Sequence, residues 1–581
     1  SSIVMVKKPL NFRQNGRKKV LIGLLVLLGI SSVAYQQKDL YFRIKQSLDI
    51  FSEAFSLIVL EYVDDIDPLD LMGVGLNAMF ESLDPYTNYF DVSSNEQAEI
   101  LSRSNFSGIG IQVDKKENRA IVVRVIDGSP AQRAGIRTGD AIQSVDGLST
   151  ENLEPEEIES LLMGETGSKV TLTIKTPNAT VDQLQLFRAN FEPKSLGYAA
   201  LLDPTGEPVV ELNTDTQALE SKDSTKNGPI QGVAYLQINE FGQGVNTEFR
   251  QALQAMRQES EFQGVILDLR GNPGGLLQES VQMLDFLVNA DIPVVQTVGR
   301  LEEYNTRYIT REDAGYTGPL VILINQGSAS ASEILSGVVQ DLDRGVVLGE
   351  RSFGKGLVQI VKPLPFNNSM KYTISRYYIP SGRSIQSLEY THDANNSALQ
   401  RGDDTEYMTL NGRIVRGGMG IEPDIQVPTE LLSPFQSELL RLGLVSDFVQ
   451  QVELPLTATI DDELIQIMAH RFMENFDPTR LQIWNDMLSL TDSLAHSLQN
   501  SNALNANTDE SLQRITDQIS TLAKSNFSEK IREIEVVLGL ELIRFYKGNQ
   551  AWKRASLAFD PAIMAGIQLL DDLQDYHSII D

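Results

Sequence analysis

The sequence predicts a multidomain protein with an α/β core, preceded by a helical segment and a β-rich module and followed by a helical tail. At 581 residues the chain is too long for one compact core, because a domain usually holds roughly 100 to 200 residues. Between residues 229 and 429, strand-like apolar runs alternate with helical periodicity, which is typical of helices packed on a sheet. Residues 99–190 instead carry short β-branched runs between glycine turns, which predicts a small β-rich module.

The chain starts with a basic stretch followed by an apolar run, the charge order of an export signal. The run extends from Val20 to Ala34 and is short against the ~20 residues that span a bilayer, and Ser32–Ala34 resembles a cleavage site. Residues 1–36 are therefore interpreted as an export signal or a membrane anchor, with a buried core helix as the alternative. Either export interpretation places the rest in a bacterial cell envelope, on the periplasmic side, anchored to the inner membrane or secreted.

The composition of the chain excludes several kinds of site and argues against one class of partner. The formal charge of −29 repels phosphate backbones and argues against a nucleic-acid partner. The absence of cysteine excludes disulfides, thiolate nucleophiles and Cys-based zinc sites. Any catalytic group must therefore come from other side chains, and neither a metal nor a cofactor is expected.

Helical spacing of apolar residues continues along two further parts of the chain. A helical region is predicted over 37–98, where turn chemistry at Ser82–Thr87 ends the helix. Polar stretches at 203–227 and 388–413 predict exposed loops. Residues 430–581 are predicted to form a separate helical domain, which could serve in oligomer assembly, bind an adaptor or pack on the chain's own core.

A serine cluster lies where a predicted strand meets a predicted helix. Strand Val321–Asn325 leads into a segment with Ser328, Ser330 and Ser332, and a helical pattern follows. Backbone N–H groups at a helix start are unpaired and can bind an oxyanion, as acyl transfer requires beside its nucleophile. The alternative is that these serines only cap the helix and pack against neighbours.

A nucleophilic serine needs a base, and lysine is the best candidate here. The chain has four histidines, and they lie in a polar loop or in the helical tail rather than in the α/β core. Lys355 stands between two glycines after the strand-like run 346–349. Glycine permits close backbone approach, and a desolvated ammonium loses its proton more readily. An exposed surface lysine is the alternative.

These two segments resemble the active-site signatures of the C-terminal processing (tail-specific) proteases of peptidase family S41, which use a Ser/Lys dyad. The resemblance implies a crotonase-like α/β protease core over residues 191–429. It implies Ser330 as the nucleophile, Lys355 as the base and Gln359 as the residue that orients the lysine.

The segment Asp268–Gly275 resembles the glycine-rich loop of that family. The resemblance implies an oxyanion hole built from the N–H groups of Gly275 and Ala331, and glycine permits the close approach this needs. A phosphate-binding loop is the alternative, but no Gly-Lys-Ser/Thr ending is present. Asp341 matches an acidic position of the family and is implied to support the site, with a helix-terminal or surface acid as the alternative.

The β-rich module at 99–190 resembles a PDZ domain through Ser107–Ile111 and Ser129–Ile142. Successive amides of a glycine loop form an anion nest for a terminal carboxylate, and a strand edge lets a peptide add as another strand. The implied peptide-binding residues are Gly108, Ile109, Gly110 and Ile111, although a glycine turn before a strand would look the same. Met163 stands where many family members have an arginine, which puts the coupling of peptide binding to activation in doubt.

The sequence therefore predicts a serine endopeptidase that recognises protein or peptide substrates by free, apolar C-terminal tails. A catalytically silent PDZ scaffold that binds exported tails is the main alternative. A crotonase-like acyl-CoA enzyme is a second alternative, although the export signal and the PDZ-like module argue against it.

Overall fold

The computed structural model divides the chain into two compact units, residues 1–82 and residues 83–581. It describes residues 40–91, 106–116, 119–126, 129–136, 140–153, 155–175, 181–191, 195–213, 218–221, 232–259, 261–389, 400–401, 405–429, 431–455, 458–501 and 506–581. The predicted export segment, residues 1–36, lies outside these ranges. No helix within them is long and apolar enough to cross a membrane.

The described strands, in chain order, are β1 Asn88–Phe90, β2 Phe106–Gly108, β3 Ile111–Lys116, β4 Arg119–Val125, β5 Ala141–Val145, β6 Leu148–Ser149, β7 Lys169–Lys175, β8 Val181–Phe187, β9 Ala189–Phe191, β10 Leu196–Leu202, β11 Pro208–Asn213, β12 Ala218–Ser221, β13 Val233–Ile238, β14 Val265–Asp268, β15 Pro293–Gly299, β16 Thr306–Ile309, β17 Leu320–Ile324, β18 Val346–Gly349, β19 Leu357–Leu364, β20 Asn368–Tyr378, β21 Leu388–Glu389, β22 Gln400–Arg401, β23 Glu406–Met408, β24 Ile414–Arg416 and β25 Ile425–Gln426.

The described helices comprise residues 40–61 and Pro68–Glu81, Pro130–Arg133, Pro155–Leu162, Val245–Glu259, Leu277–Leu287, Ala331–Asp341, Pro434–Arg441, Leu444–Gln451, Asp462–Asn475, Gln482–Asn500, Ala506–Glu529, Ile531–Lys547, Asn549–Ser556, Pro561–Asp571 and Leu573–Ile580. The mixture of sheets and helices confirms the predicted fold class.

The first unit contains the two helices at 40–61 and Pro68–Glu81, which confirms the predicted N-terminal helical segment. The second helix begins after Asp67, whose carboxylate accepts hydrogen bonds from the N–H groups of Leu69 (2.7 Å) and Asp70 (3.2 Å). This side-chain cap satisfies two amides that would otherwise lack an intrahelical partner.

The core of the second unit is an eight-stranded sheet of order β12-β11-β10-β13-β14-β17-β18-β25. Strands β13, β14, β17, β18 and β25 run parallel, and β10 joins them antiparallel. All five residues of β17 are buried, because helices cover both faces of the sheet. Such burial explains the continuous apolar runs in the sequence.

One face of this sheet packs against helices Val245–Glu259, Leu277–Leu287 and Ala331–Asp341. The other face packs against the last two helices of the tail, Pro561–Asp571 and Leu573–Ile580. The tail is helical, as predicted, and its end completes the core of the α/β sheet. The preceding tail helices share a cluster of their own around Ile534, Val537 and Leu538.

A second sheet lies beside the core, with strands in the order β1-β20-β15-β16 and β19 on β20. Strand β1 pairs antiparallel with β20, with Asn88 opposite Lys371. The segment that follows the predicted turn at 82–87 is therefore built into this sheet.

The β-rich module has a sheet of order β3-β4-β5-β7-β8, with β6 on β5, around its own apolar core. The helix Pro155–Leu162 packs against this core through Ile158 and Leu162. Strand β3 is an edge strand, as a module that binds peptides by strand addition requires.

The prediction of exposed loops was wrong at two places. Residues 208–213 and 218–221 form β11 and β12, because Val210 and Leu212 alternate with more exposed residues in a two-residue period that gives a strand. Further along, Arg413 forms ion pairs with the buried Asp343 (2.6 Å) and Asp424 (2.5 Å). A polar sequence there supplies a buried ionic cluster rather than a solvated loop.

Candidate functional site

Ser330 lies at the junction between β17 and the helix Ala331–Asp341, with φ 55° and ψ −112°. A non-glycine residue with positive φ costs of order 1–3 kcal/mol and persists only where its surroundings hold it. A similarly sharp strand-to-helix turn presents the nucleophilic serine in α/β-hydrolases.

The three serines of the junction have different partners. Ser328 donates its hydroxyl to the carbonyl of Leu269 (2.8 Å), and Ser332 donates to that of Asn272 (3.0 Å). Ser330 instead lies near the Tyr377 hydroxyl; burial raises the pKa of Tyr377, and the Ser330 side chain opposes the rise. Ser328 and Ser332 therefore tie the junction to the glycine-rich loop, whereas Ser330 does not.

The glycine-rich loop packs directly on this junction. Gly274 has φ 102°, and a Cβ on it would lie 2.7 Å from the Ala329 carbonyl oxygen, 2.8 Å from Ser330 Cβ and 3.0 Å from the Ala331 nitrogen. Asn272 fixes the loop, because its side-chain oxygen accepts from the Gly274 N–H (2.9 Å). The close contact therefore needs glycine at position 274.

The two amides that the resemblance assigns to an oxyanion hole belong to Gly275 and Ala331. Gly275 has φ 141° and follows the residue in contact with Ser330. Ala331 is the first residue of its helix. Within the described residues, neither N–H donates to a protein acceptor. Both amides are therefore available to an incoming oxygen, and the helix start adds a partial positive charge.

Glu333 joins the serine and lysine segments. Its Oε2 accepts hydrogen bonds from the N–H groups of Ser330 (2.9 Å) and Lys355 (2.8 Å). Its Oε1 accepts from Ser352 Oγ (2.6 Å) and from the Gly354 N–H (2.6 Å). Burial raises the pKa of this fully buried carboxyl, and the four hydrogen bonds oppose the rise. Sequence reasoning missed this role, although Ser and Glu three residues apart at a helix start are a capping signal.

Lys355 is partly buried, and its Nζ lies 4.7 Å from the centroid of the Tyr86 ring. Burial lowers its pKa and the Lys371 charge lowers it further, whereas Glu333 and Asp84 act in the opposite direction. By lowering this pKa, burial and the Lys371 charge favour the neutral amine that a general base requires.

The side chain of Gln359 does not orient Lys355 in this structure. Its amide donates to Thr373 Oγ1 (3.2 Å) on the neighbouring strand. Within the described residues, Lys355 Nζ forms no hydrogen bond with the side chain of Ser330 or with that of Gln359. The fold thus brings the backbones of Ser330 and Lys355 together through Glu333.

Asp341 lies at the opposite end of the helix from Ser330. It is buried and forms an ion pair with Arg383 (2.8 Å). Its carboxylate also accepts from the Ser381 N–H (2.9 Å). Burial raises the pKa of Asp341, and the Arg383 charge opposes the rise. Asp341 therefore anchors the loop that follows β20. It does so from the end of the helix that is far from Ser330.

The predicted carboxylate-binding loop, residues 108–111, joins β2 to β3. Ile109 is buried, and its carbonyl accepts from the Ala131 N–H (2.9 Å); Gly110 has φ 80°. Across the groove, Glu159 of the helix Pro155–Leu162 accepts from the Val113 N–H (3.3 Å). An edge amide of β3 is thus already bonded to this helix.

An arginine does lie beside Met163, although it comes from another part of the chain. Arg188 donates to the carbonyls of Leu161 (2.9 Å) and Leu162 (3.2 Å), at the end of the helix Pro155–Leu162, hereafter the groove helix. A Cβ on Gly164 would lie 2.9 Å from the Arg188 side chain. Arg188 thus connects the groove helix to the segment between β8 and β9, which leaves the module.

Comparisons with known proteins match two parts of the chain to family models. The model of peptidase family S41 matches residues 232–396, and that of the PDZ domain matches residues 98–175. The carboxy-terminal-processing protease of Bartonella bacilliformis is 30% identical over 376 residues, which cover 64% of this chain and 78% of that protein. The carboxyl-terminal-processing protease of Picosynechococcus sp. is 29% identical over 397 residues, covering 64% and 88%.

Among solved structures, the photosystem II D1 C-terminal processing protease matches with a TM-score of 0.36 and 24% identity, over 66% of this chain and 93% of that one. The coverage of the Bartonella relative, together with the S41 and PDZ matches, establishes a serine-type peptidase. This chain belongs to the carboxy-terminal-processing proteases of peptidase family S41.

Proposed function

We propose that this peptidase cleaves protein substrates with a Ser330/Lys355 dyad and selects them by free C-terminal tails that bind its PDZ module. The observation that carries the dyad is the shared Glu333 oxygen, which holds the backbones of both residues. The strained φ of Ser330 supports its role as nucleophile, because strain of this kind clusters at functional sites.

In the proposed reaction, the neutral amine of Lys355 takes the proton of the Ser330 hydroxyl while the oxygen attacks the scissile carbonyl carbon. The carbonyl oxygen gains the negative charge and accepts hydrogen bonds from the N–H groups of Gly275 and Ala331. The Lys355 ammonium then gives its proton to the leaving amine as the C–N bond breaks. Water then attacks the resulting ester while Lys355 accepts its proton, and as the C–O bond of the ester breaks Lys355 returns that proton to the Ser330 oxygen.

The PDZ module supports selection by tails. Strand β3 offers an edge for strand addition beside the groove helix, and the glycine loop at 108–111 precedes it. Apolar residues at the end of a substrate would add as a strand, with the terminal carboxylate in the loop. The basic and apolar N-terminal segment supports a further part of the proposal, action on the periplasmic side of a bacterial envelope.

The test is cleavage of an unstructured protein with an apolar C-terminus by the purified chain. We expect Ser330→Ala and Lys355→Ala each to lower kcat by at least about a thousandfold. The matched controls are Ser497→Ala and Lys362→Ala, which change exposed residues outside the site. Retained cleavage in either dyad variant would overturn the dyad.

A second substrate with an amidated C-terminus tests tail selection. We expect its KM to rise, because the amide cannot fill an anion nest. Equal kcat/KM for the two substrates would contradict tail recognition while leaving the dyad intact. A silent PDZ scaffold would bind the free tail and cleave neither substrate.

A further inference from the structure

The turn at Asp84–Thr87, which the sequence marks only as the end of a helix, lies against the proposed base. The Lys355 ammonium nitrogen is 4.7 Å from the centroid of the Tyr86 ring. A cation within about 6 Å of an aromatic centroid is attracted by the negative face of the ring. Tyr86 is therefore a direct neighbour of the group that would move the proton.

The turn holds Tyr86 in place. The buried Asp84 carboxylate accepts hydrogen bonds from the Tyr86 N–H (2.9 Å) and from the Thr87 hydroxyl (3.1 Å). Pro85 fixes the backbone between Asp84 and Tyr86. The ring therefore has a defined position before any substrate binds.

One sheet brings the Tyr86 ring and Lys355 close to each other. Strand β1 begins two residues after Tyr86 and pairs with β20. Strand β19 begins two residues after Lys355 and pairs with the other edge of β20. The contact is thus built from segments about 270 residues apart in the chain, both attached to one strand.

Three charged groups act on Lys355 from different elements. Asp84 on the turn and Glu333 on the junction helix attract its ammonium, and Lys371 on β20 repels it. The ring adds an apolar cover on one side and a π face that favours the charged form. Burial and Lys371 thus favour the neutral amine, whereas the two carboxylates and the π face favour the charged form.

We propose that Tyr86 is a positioning residue of the catalytic site, whose ring contacts the Lys355 ammonium and limits the rotation of the lysine side chain. This inference rests on the proposed role of Lys355 as the base. It adds to the dyad a residue from the N-terminal side of the PDZ module.

The first test reads the contact without activity. Reductive methylation of the full chain with ¹³C-formaldehyde gives each lysine a dimethylamine NMR signal, and Lys355→Arg identifies that of Lys355. We expect the Lys355 signal to be shifted upfield by the ring current in the wild type and in Tyr86→Phe. In Tyr86→Leu it should move to the position of exposed lysines. An unchanged signal in Tyr86→Leu would overturn the proposal.

The second test is the pH dependence of kcat/KM for cleavage of the apolar-tailed substrate. Tyr86→Leu keeps an apolar cover but removes the π face, so the acid limb should fall by about half a pH unit to one unit. Tyr86→Phe should retain the wild-type limb. An unmoved limb in Tyr86→Leu would overturn the proposal.

The matched control is Tyr89→Leu on the same segment, where Tyr89 donates to Asn368 Oδ1 (2.9 Å). It weakens the attachment of β1 without touching Lys355, so we expect a lower melting temperature and an unmoved limb. An equal limb shift in Tyr89→Leu would show that Tyr86 has only a structural role. Cleavage by Lys355→Ala would refute the proposed base itself, which separates that failure from failure of this inference.

Discussion

Arg270 and Asp560 form a two-point ion pair across 290 residues of sequence, with N–O distances of 3.0 and 2.8 Å. Arg270 begins the glycine-rich loop and also pairs with Asp268 (2.7 Å). Asp560 caps the helix Pro561–Asp571, which covers the core sheet. Burial raises the pKa of Asp268, but Arg270, the Lys553 charge and the Tyr235 hydrogen bond together lower it to about 2. The end of the tail is thus bonded to the loop that packs on Ser330.

We predict that Asp560→Asn destabilises the protein and lowers kcat. The amide oxygen keeps the helix cap, but Arg270 loses one of its two carboxylate partners and keeps Asp268, which costs about 1–3 kcal/mol. Thermal unfolding and peptide cleavage measure the two effects. Asp572→Asn is the control, because Asp572 caps the next helix from an exposed position. Equal melting temperatures for the two variants would contradict the role of the ion pair.

We predict that Glu333→Gln lowers kcat by at least about a hundredfold and destabilises the fold by a few kcal/mol. The side-chain NH₂ would face donors that now bond to a carboxylate oxygen, so Ser330 and Lys355 would lose their shared partner. Activity and denaturant unfolding measure the change.

Glu279→Gln is the control for that variant. Glu279 is also buried and accepts from the N–H groups of Gly244 (2.9 Å) and Asn246 (3.1 Å), away from the dyad. It should lose stability and keep kcat. If both variants lose kcat equally, the effect of Glu333 is general destabilisation.

We predict that Gly274→Ala lowers kcat by about a hundred- to a thousandfold, the usual loss when one oxyanion donor is displaced. The new Cβ would lie 3.0 Å from the Ala331 nitrogen and 2.8 Å from Ser330 Cβ. Gly271→Ala, in the same loop, also imposes strain at positive φ (69°), but its Cβ meets nothing within 4 Å. It should lose stability and retain kcat; equal losses of kcat would contradict the steric argument.

Residues that carry a local pattern could be identified from the sequence. The local pattern indicated a serine cluster at a strand-to-helix junction and Lys355 between two glycines, and the resemblance to family S41 singled out Ser330 among the three serines. The resemblance also identified the glycine-rich loop and assigned an oxyanion donor at Gly275, but it did not indicate that Gly274 packs against Ser330. Which glycine faces the junction depends on backbone dihedrals that spacing does not fix.

Contacts between distant segments could not be predicted in this way. Tyr86 reaches Lys355 only because β1 and β19 both pair with β20. Asp560 reaches Arg270 only because the tail folds back over the sheet. Arg188 lies beside Met163 because β8 and β9 pass the end of the groove helix. Each contact follows from sheet topology, and periodicity in the sequence gives no information on topology.

We predict opposite shifts of the pH profile for two charge changes near Lys355. In the proposed mechanism the neutral amine of Lys355 is the base, so cleavage should be present above the pKa of Lys355 and should be lost as the pH falls through that value. Lys371→Gln removes a repelling cation and raises the pKa, which moves the acid limb to higher pH; Asp84→Asn removes an attracting carboxylate and moves it lower. Both shifts should be about half a pH unit and shrink in high salt.

The profile of kcat/KM at low and high ionic strength measures these shifts. Lys362→Gln is the control, because Lys362 is exposed on β19 and bonds to Tyr304. Shifts of the same sign in the Lys371 and Asp84 variants would contradict the electrostatic account.

We predict that Glu159→Ala strengthens tail binding. A peptide that adds to β3 must take its hydrogen bonds from the edge amides of that strand, and the Val113 N–H is bonded to Glu159. Removing the Glu159 carboxylate frees the Val113 N–H for the peptide and removes a negative charge that repels the terminal carboxylate of the peptide. The Kd of the peptide should therefore fall by about three- to tenfold. Titration of Ser330→Ala protein with a fluorescent apolar-tailed peptide measures Kd without cleavage. Glu157→Ala, two residues away on the exposed side of the same helix, is the control, and equal Kd values in all three proteins would show that the Glu159 contact does not restrict the groove.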